Sequence, residues 1–299
     1  MSVKTDEGPV LQVMDRNGAP GSGGSAAGDE TPRKIAVLGA TGRTGVSFIK
    51  QLLVARGMHA GLTVRAVCRD PEKLKRQFDD GGTSFPAQFV EAVKGDVWSR
   101  ESLRRCLDGC DAVFSFLEFS HQFGGCCSMG LDSRKSCCVP FTRGRYNPQY
   151  REWMQQVLVS VCLEAGIQRV VLQSTWFSQS HPCANPCNLC ATGNCGAICL
   201  IRGTCGAGMW NGFQMMEDVL KKSSLDYTIV HCPVLQGDME SPARSFQAVV
   251  GKDQLGMRNG FCVPCGCLYM CCSARTYPDV ARFFVDNMDN YFRESVVFQ

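Results

Sequence analysis

The stretch that most restricts this chain spans residues 33–50. There the apolar run Ile35, Ala36, Val37, Leu38 enters Gly39-Ala40-Thr41-Gly42-Arg43-Thr44-Gly45 and leaves as an amphipathic segment carrying Val46, Ile49, Leu52 and Leu53. The order predicts strand, glycine-rich loop and helix. Such a loop needs glycine where the turn is tight, where backbone must approach a pyrophosphate, and where the helix packs on the strand. The new helix also offers free N–H groups and a positive dipole end. Gly39, Thr41, Gly42, Arg43, Thr44 and Gly45 are therefore read as an anion-binding loop.

The same alternation recurs downstream. Residues 62–68 are apolar and rich in β-branched side chains, which predicts a second buried strand, and they stop at Arg69-Asp70-Pro71 before a helix through Leu74 and Phe78. A third strand over 88–93 ends in Gly95-Asp96-Val97, and Ser99 is placed to cap a helix through Leu103 and Leu107. A fourth strand follows over 111–117. Consecutive strand-helix-strand units require right-handed crossovers, so the fold class is α/β with a doubly wound parallel sheet.

Residues 118–147 and 177–208 interrupt this rhythm with polar, glycine- and cysteine-bearing sequence, and are read as two insertions. Between and beyond them a helix is predicted over 148–165, closed by Gly166, and a fifth strand over 168–173 leading into Ser174-Thr175. Next come a helix over 211–222, a sixth strand over 226–231 before Cys232-Pro233, and β segments near 245–250 and 261–272. A helix over 278–288 and a strand over 295–298 complete the pattern. Residues 1–32 hold six glycines and few large apolar groups, too few to offset the entropy of ordering, so a disordered tail is expected ahead of one domain over 33–299.

Composition narrows the function classes. A formal charge of +3 with no long basic run gives no electrostatic footprint for nucleic acid, and none is expected as a partner. No apolar run approaches the roughly 20 residues of a membrane helix, and the first residues lack the basic-then-apolar order of a secretory signal. A soluble, cytoplasmic protein is the expectation.

Ile35 to Gly45, Cys68-Arg69-Asp70, Gly95-Asp96-Val97, Asp111-Ala112-Val113, Val170 to Ser174 and Leu225 to Val230 together resemble the atypical short-chain dehydrogenases. Within that group the chain is similar to the NmrA-like proteins that include NADPH-dependent flavin and biliverdin reductases. The resemblance implies a Rossmann-type sheet with bound NADP, with Asp96 and Val97 near adenine; Leu117 and Pro233 are read as cofactor-binding and should converge with the phosphate loop and Ser174 at the carboxyl ends of the strands. It also implies a small-molecule acceptor. The position after the second strand, where an NAD-specific site places a carboxylate, holds Cys68 and Arg69, with Arg43 and Lys73 nearby. That charge suits a 2′-phosphate. Asp96 is read either as an adenine contact or as a turn residue.

The tyrosine and lysine pair of typical short-chain dehydrogenases is absent. Aligning Glu217-Asp218-Val219-Leu220 with the family helix puts Met209 and Phe213 in its place. Hydride transfer to a conjugated acceptor does without the pair, because it depends chiefly on positioning. Ser174 and Thr175 match the family's strand-end hydroxyls and are the candidate catalytic residues; the other reading is a strand-end turn. Glu118 and Val234 stand where the family has a glycine and a histidine. The first expectation is an NADPH-dependent oxidoreductase that transfers hydride to a flavin-, quinone- or tetrapyrrole-like acceptor, and the alternative is a catalytically silent NADP-binding regulator that acts through a protein partner.

Twenty cysteines are unevenly spread, only Cys68, Cys106 and Cys110 preceding residue 120. Cys187-Asn188-Leu189-Cys190 makes one clean short-spaced pair, but a tetrahedral zinc site wants two, and Cys195 and Cys199 are looser. Adjacent cysteines such as Cys126-Cys127 rarely converge on one ion. No metal ligand is assigned. Elemental analysis of protein purified without added metal should find well under one equivalent of zinc or iron. Stoichiometric metal, lost with stability when Cys187 and Cys190 become serine, would overturn that reading.

Overall fold

The computed structural model describes residues 33–55, 61–117, 148–175, 206–232, 235, 242–244, 248–250, 275–290 and 293–298. The predicted tail, both cysteine-rich insertions, the segment 261–272, Glu118, Pro233 and Val234 lie outside the described residues.

The element order is β1 (Lys34–Leu38), α1 (Arg43–Val54), β2 (Thr63–Cys68), α2 (Pro71–Asp79), β3 (Val90–Lys94), α3 (Arg100–Leu107) and β4 (Ala112–Ser115). A helical segment follows in three parts: α4 (Pro148–Glu152), a π-helical stretch Trp153–Val159, and α5 (Ser160–Glu164). Then come β5 (Arg169–Thr175), α6 (Gly206–Lys222), β6 (Asp226–Cys232), β7 (Ala248–Val250), α7 (Tyr277–Asp286) and β8 (Glu294–Phe298). Two differences from the sequence reading stand out. The helix expected over 148–165 carries a wider, i→i+5 middle, and α6 begins at Gly206 rather than near 211.

The strands form one eight-stranded sheet in the order β3-β2-β1-β4-β5-β6-β8-β7. Every neighbouring pair is parallel except β7 with β8. After β1 the chain moves outward through β2 and β3, then returns to place β4 on the other side of β1. The carboxyl ends of β1 and β4 therefore face a crevice where the winding reverses.

Side-chain alternation along the strands divides the core in two. Ile35 and Val37 join Phe48, Phe114, Phe116 and Phe284 on the face covered by α1, α2 and α7, while Ala36 and Leu38 join Leu103, Trp153, Val170, Leu172, Met216 and Ile229 on the other. A β1 strand buried on both faces explains its unbroken apolar run. On the first face Phe48 stacks on Phe114 and tilts against Phe116, with ring centroids 5.0 Å apart in both cases, and Phe116 meets Phe284 edge-on at 5.0 Å. Each such aromatic contributes about 1.5–3 kcal/mol by burial alone. This cluster fixes α7, late in the chain, against the helix that leaves the glycine loop.

The start of α7 is held by one carboxylate. Asp279 is fully buried and accepts from the Thr276 N–H at 3.0 Å, the Arg244 N–H at 2.8 Å and the Arg244 guanidinium at 2.7 Å, while Thr276 Oγ1 accepts from the Asp279 N–H at 3.2 Å. This is a complete capping box with a second segment tied into it. Burial pushes the Asp279 carboxyl up, but the hydrogen bonds from Arg244 and Thr276 outweigh it and hold the group below the ordinary carboxylate range. A carboxylate depressed in the folded state stabilises above its unfolded pKa, near 4, and loses that contribution as pH falls through the folded value. Asp279→Asn should thus lower the unfolding free energy by about 1–3 kcal/mol at pH 7. The gap to the unmodified protein should narrow in denaturant titrations below pH 4, and a gap that stays constant with pH would contradict the assignment.

Candidate functional site

The glycines of the loop are required by contact. Gly39 has φ +78°, and a Cβ there would stand 2.8 Å from the Phe116 carbonyl oxygen at the end of β4. A Cβ on Gly45 would stand 2.3 Å from the Gly39 carbonyl oxygen and 2.9 Å from Ala40 Cα. Backbone lies on backbone here, and the first turn of α1 is seated directly on the end of β1. The Gly42 N–H closes the turn on the Gly39 carbonyl at 2.9 Å.

The first turn of α1 differs from those of the other capped helices. Asp70 caps α2, Ser99 caps α3 and Thr276 caps α7, and each of these helices carries an acid in its first turn. Gly42 gives α1 no side-chain cap, and no acid follows. Its leading N–H groups are left for a ligand of negative charge, and side chains at Gly39 and Gly45 would fill the cradle that backbone alone leaves open. These residues fit a dinucleotide pyrophosphate.

The other predicted residues fall at the same end of the sheet, with differing surroundings. Leu117 follows β4, and its backbone lies beside Gly39. Ser174 lies two residues beyond Leu172, the partner of Ser115, so β4 alone separates the strands that lead into Gly42 and Ser174. Thr175 pairs with Cys232, the residue before Pro233. Gln77 of α2 donates to the Thr41 carbonyl at 3.2 Å and braces the loop.

The cations fall into two groups. Arg43 donates to the Tyr277 hydroxyl at 3.1 Å and lies 5.5 Å from that ring's centre, so it is engaged with the start of α7. Arg69 and Lys73 are exposed. Asp70 and Glu72, the acids nearest Arg69 in sequence, are taken by Arg76 at 3.6 Å and Lys75 at 2.8 Å. Among the described residues no acid pairs with Arg69. Asp96 serves the turn: its carboxylate accepts from the Trp98 N–H at 3.0 Å, and its own N–H donates to Ser102 at 2.9 Å. The Val97 carbonyl accepts from the Trp153 indole at 2.9 Å, which ties the loop after β3 to the π-helical stretch.

Glu217, Lys221 and His231 are not among the site residues the sequence points to. Ser174 Oγ donates to Glu217 Oε1 at 2.6 Å, Lys221 Nζ donates to Glu217 Oε2 at 3.0 Å, and His231 Nδ1 lies 3.6 Å from Oε1. Ser174, Glu217 and His231 are all buried. The available signal was the Glu-x-x-x-Lys spacing, which puts both residues on one face of α6, on the side that carries buried Phe213, Met216 and Leu220. Phe213, where the family resemblance places the missing lysine, packs in that apolar cluster and handles no proton.

The described cysteines Cys68, Cys106, Cys110, Cys162 and Cys232 carry free thiols and are buried. Burial pushes Cys68 and Cys110 up to about 11 and Cys162 up to about 12, so they remain protonated and unreactive at neutral pH. Cys68 thus fills the core at the end of β2, and Arg69 is the side chain exposed there. No helix among the described residues is long and apolar enough to cross a membrane.

Comparison with known proteins agrees with this geometry. The chain belongs to the NAD(P)H-binding family, whose model matches residues 39–259. Among curated relatives, it is 32% identical over 94 residues to oxidoreductase ptaF of Pestalotiopsis fici, covering 31% of this chain and 33% of that one. It is also 33% identical over 91 residues to oxidoreductase stcQ of Emericella nidulans, covering 30% and 32%. The matched stretch thus spans about a third of these relatives' length. Among solved structures, oxidoreductase ylbE from Lactococcus lactis aligns with a TM-score of 0.55 at 18% identity over 89% of this chain and 90% of that one. A short-chain dehydrogenase/reductase from Veillonella parvula in complex with NADP aligns at 0.53 and 15% identity over 89% and 94%. Both share the fold.

Proposed function

We propose that the protein is an NADPH-dependent oxidoreductase that reduces a flavin-, quinone- or tetrapyrrole-like small molecule. The observation that carries the reading is the pairing of an uncapped phosphate loop with a buried strand-end hydroxyl, Ser174, in a chain whose Phe213 excludes the tyrosine and lysine route. Carbonyl reduction needs a strong proton donor at the reacting oxygen, whereas a conjugated acceptor spreads the developing charge and relies mainly on placement. The curated relatives are named oxidoreductases, which supports the same class.

In this reading the first turn of α1 binds the pyrophosphate, Arg69 and Lys73 bind the 2′-phosphate, and Arg43 reaches it from Tyr277. Asp96 and Val97 border the adenine, and Leu117 and Pro233 flank the nicotinamide. Ser174 and Thr175 stand at the acceptor end. Bound NADPH supplies the hydride, and the chain supplies orientation and the exclusion of water.

NADPH oxidation followed by absorbance against flavins, quinones and linear tetrapyrroles should be acceptor-dependent at protein concentrations well above any contaminant. Tight nucleotide binding with no oxidation across the panel would favour the silent regulator. Cofactor preference is a separate test. A charge-assisted hydrogen bond contributes about 1.5–3 kcal/mol, so NADPH should bind about tenfold to a hundredfold more tightly than NADH. Arg69→Ala should weaken NADPH selectively, and added salt should erode the preference. Equal affinities in the unmodified protein, or an Arg69→Ala variant that loses both nucleotides alike, would refute the assignment.

A further inference from the structure

We infer that Glu217 and Lys221 form a proton relay that refills Ser174, taking the place of the absent tyrosine and lysine pair; the inference rests on the oxidoreductase reading. Two contacts carry it. Lys221 Nζ is 3.0 Å from Glu217 Oε2, and the opposite oxygen, Oε1, is 2.6 Å from Ser174 Oγ. The carboxylate thus bridges the two with a different oxygen toward each, so a half-turn of the carboxyl group carries a proton from the lysine side to the serine side.

Exposure runs along the chain of hydrogen bonds. The Lys221 side chain is 19% exposed and the Glu217 side chain 2%, which puts the open end at the lysine and the closed end at the strand terminus. A buried carboxylate is costly unless it is paired and hydrogen-bonded, and a purely structural role would be filled as well by an apolar side chain of similar volume. Around Glu217 stand Lys221 from its own helix, His231 from β6 and Ser174 from β5. Asp218 and Lys222 on the same helix are exposed, and α4, which packs on α6, contributes Tyr150 to the same buried cluster and leaves Arg151 and Glu152 exposed.

The balance closes. Reduction of a conjugated acceptor consumes one hydride, delivered with two electrons by NADPH, and one proton. Ser174 gives its hydroxyl proton to the acceptor's heteroatom. Glu217 takes a proton on Oε2 from the Lys221 ammonium, a half-turn of the carboxyl group about Cγ–Cδ brings that proton to Ser174, and water restores the lysine.

Two substitutions separate a relay from a scaffold. Lys221→Arg keeps the positive charge and the ion pair but binds its proton too tightly to release it. Glu217→Gln keeps shape and hydrogen bonding but cannot carry a proton. Both should lower kcat by roughly 100-fold and change the shape of its pH profile, with NADPH affinity measured by fluorescence unchanged. Lys221→Arg with the unmodified kcat and pH profile overturns the relay and leaves the oxidoreductase reading intact. No turnover in the unmodified protein overturns both.

A readout independent of turnover is the Ser174 hydroxyl proton. In nucleotide-free protein it should give a slowly exchanging downfield resonance that disappears in Ser174→Ala. Its absence in the unmodified protein would break the link at its first step.

Discussion

The structure depends on one close approach. The Gly45 Cα sits so near the Gly39 carbonyl that no Cβ fits, and Gly39 in turn lies against the Phe116 carbonyl. Three backbones meet there: the end of β1, the end of β4 and the first turn of α1. Because they touch without side chains between them, the N–H groups of α1 open onto the crevice between β1 and β4. A single methyl group at Gly45 would lift the helix off the strand, and the Phe48 contacts to Phe114 and Phe116 would move with it. Phosphate binding and core packing are thus two effects of one piece of steric geometry.

Much of this was legible because the sequence is locally consistent. An apolar run, a glycine triad and an amphipathic segment in that order leave few folds, and the pattern recurs through Asp70-Pro71, Ser99 and Gly166, each of which acts in the structure as its chemistry suggests. Strand boundaries were less legible. β4 ends at Ser115 and not at Leu117: the Phe116 N–H still bonds the Leu38 carbonyl of β1, and beyond it the backbone passes against Gly39. That contact joins residues distant in the sequence, and no local signal encodes it. The π-helical stretch Trp153–Val159 was also invisible, since its hydrogen-bond pattern differs from the α-helix while its apolar spacing does not.

The candidate site was legible where it depends on backbone and hidden where it depends on side chains meeting across elements. Glu217 reads as an ordinary helix acid, His231 as an interruption of an apolar strand, and Ser174 as a strand-end hydroxyl. Their convergence follows from β5 and β6 being neighbours under α6, with Ser174 directly opposite His231 in the register. Arg43 gives the converse case. Its place in the loop suggested a phosphate ligand, and the structure gives it a ring to rest on, because α7 returns to α1 from more than two hundred residues away.

The strand order carries a consequence for how the sheet is completed. β8 lies between β6 and β7, both of which precede it in sequence, and among the described strands β7 pairs with β8 alone. Until residues 294–298 arrive, β6 presents an open edge and β7 has no ladder to join. The interval is a window of exposure, in which the unpaired edge of β6, with Ile229 and Val230 in it, is a template for pairing with another chain. Closing that window requires contacts of long sequence separation, the slowest kind to form.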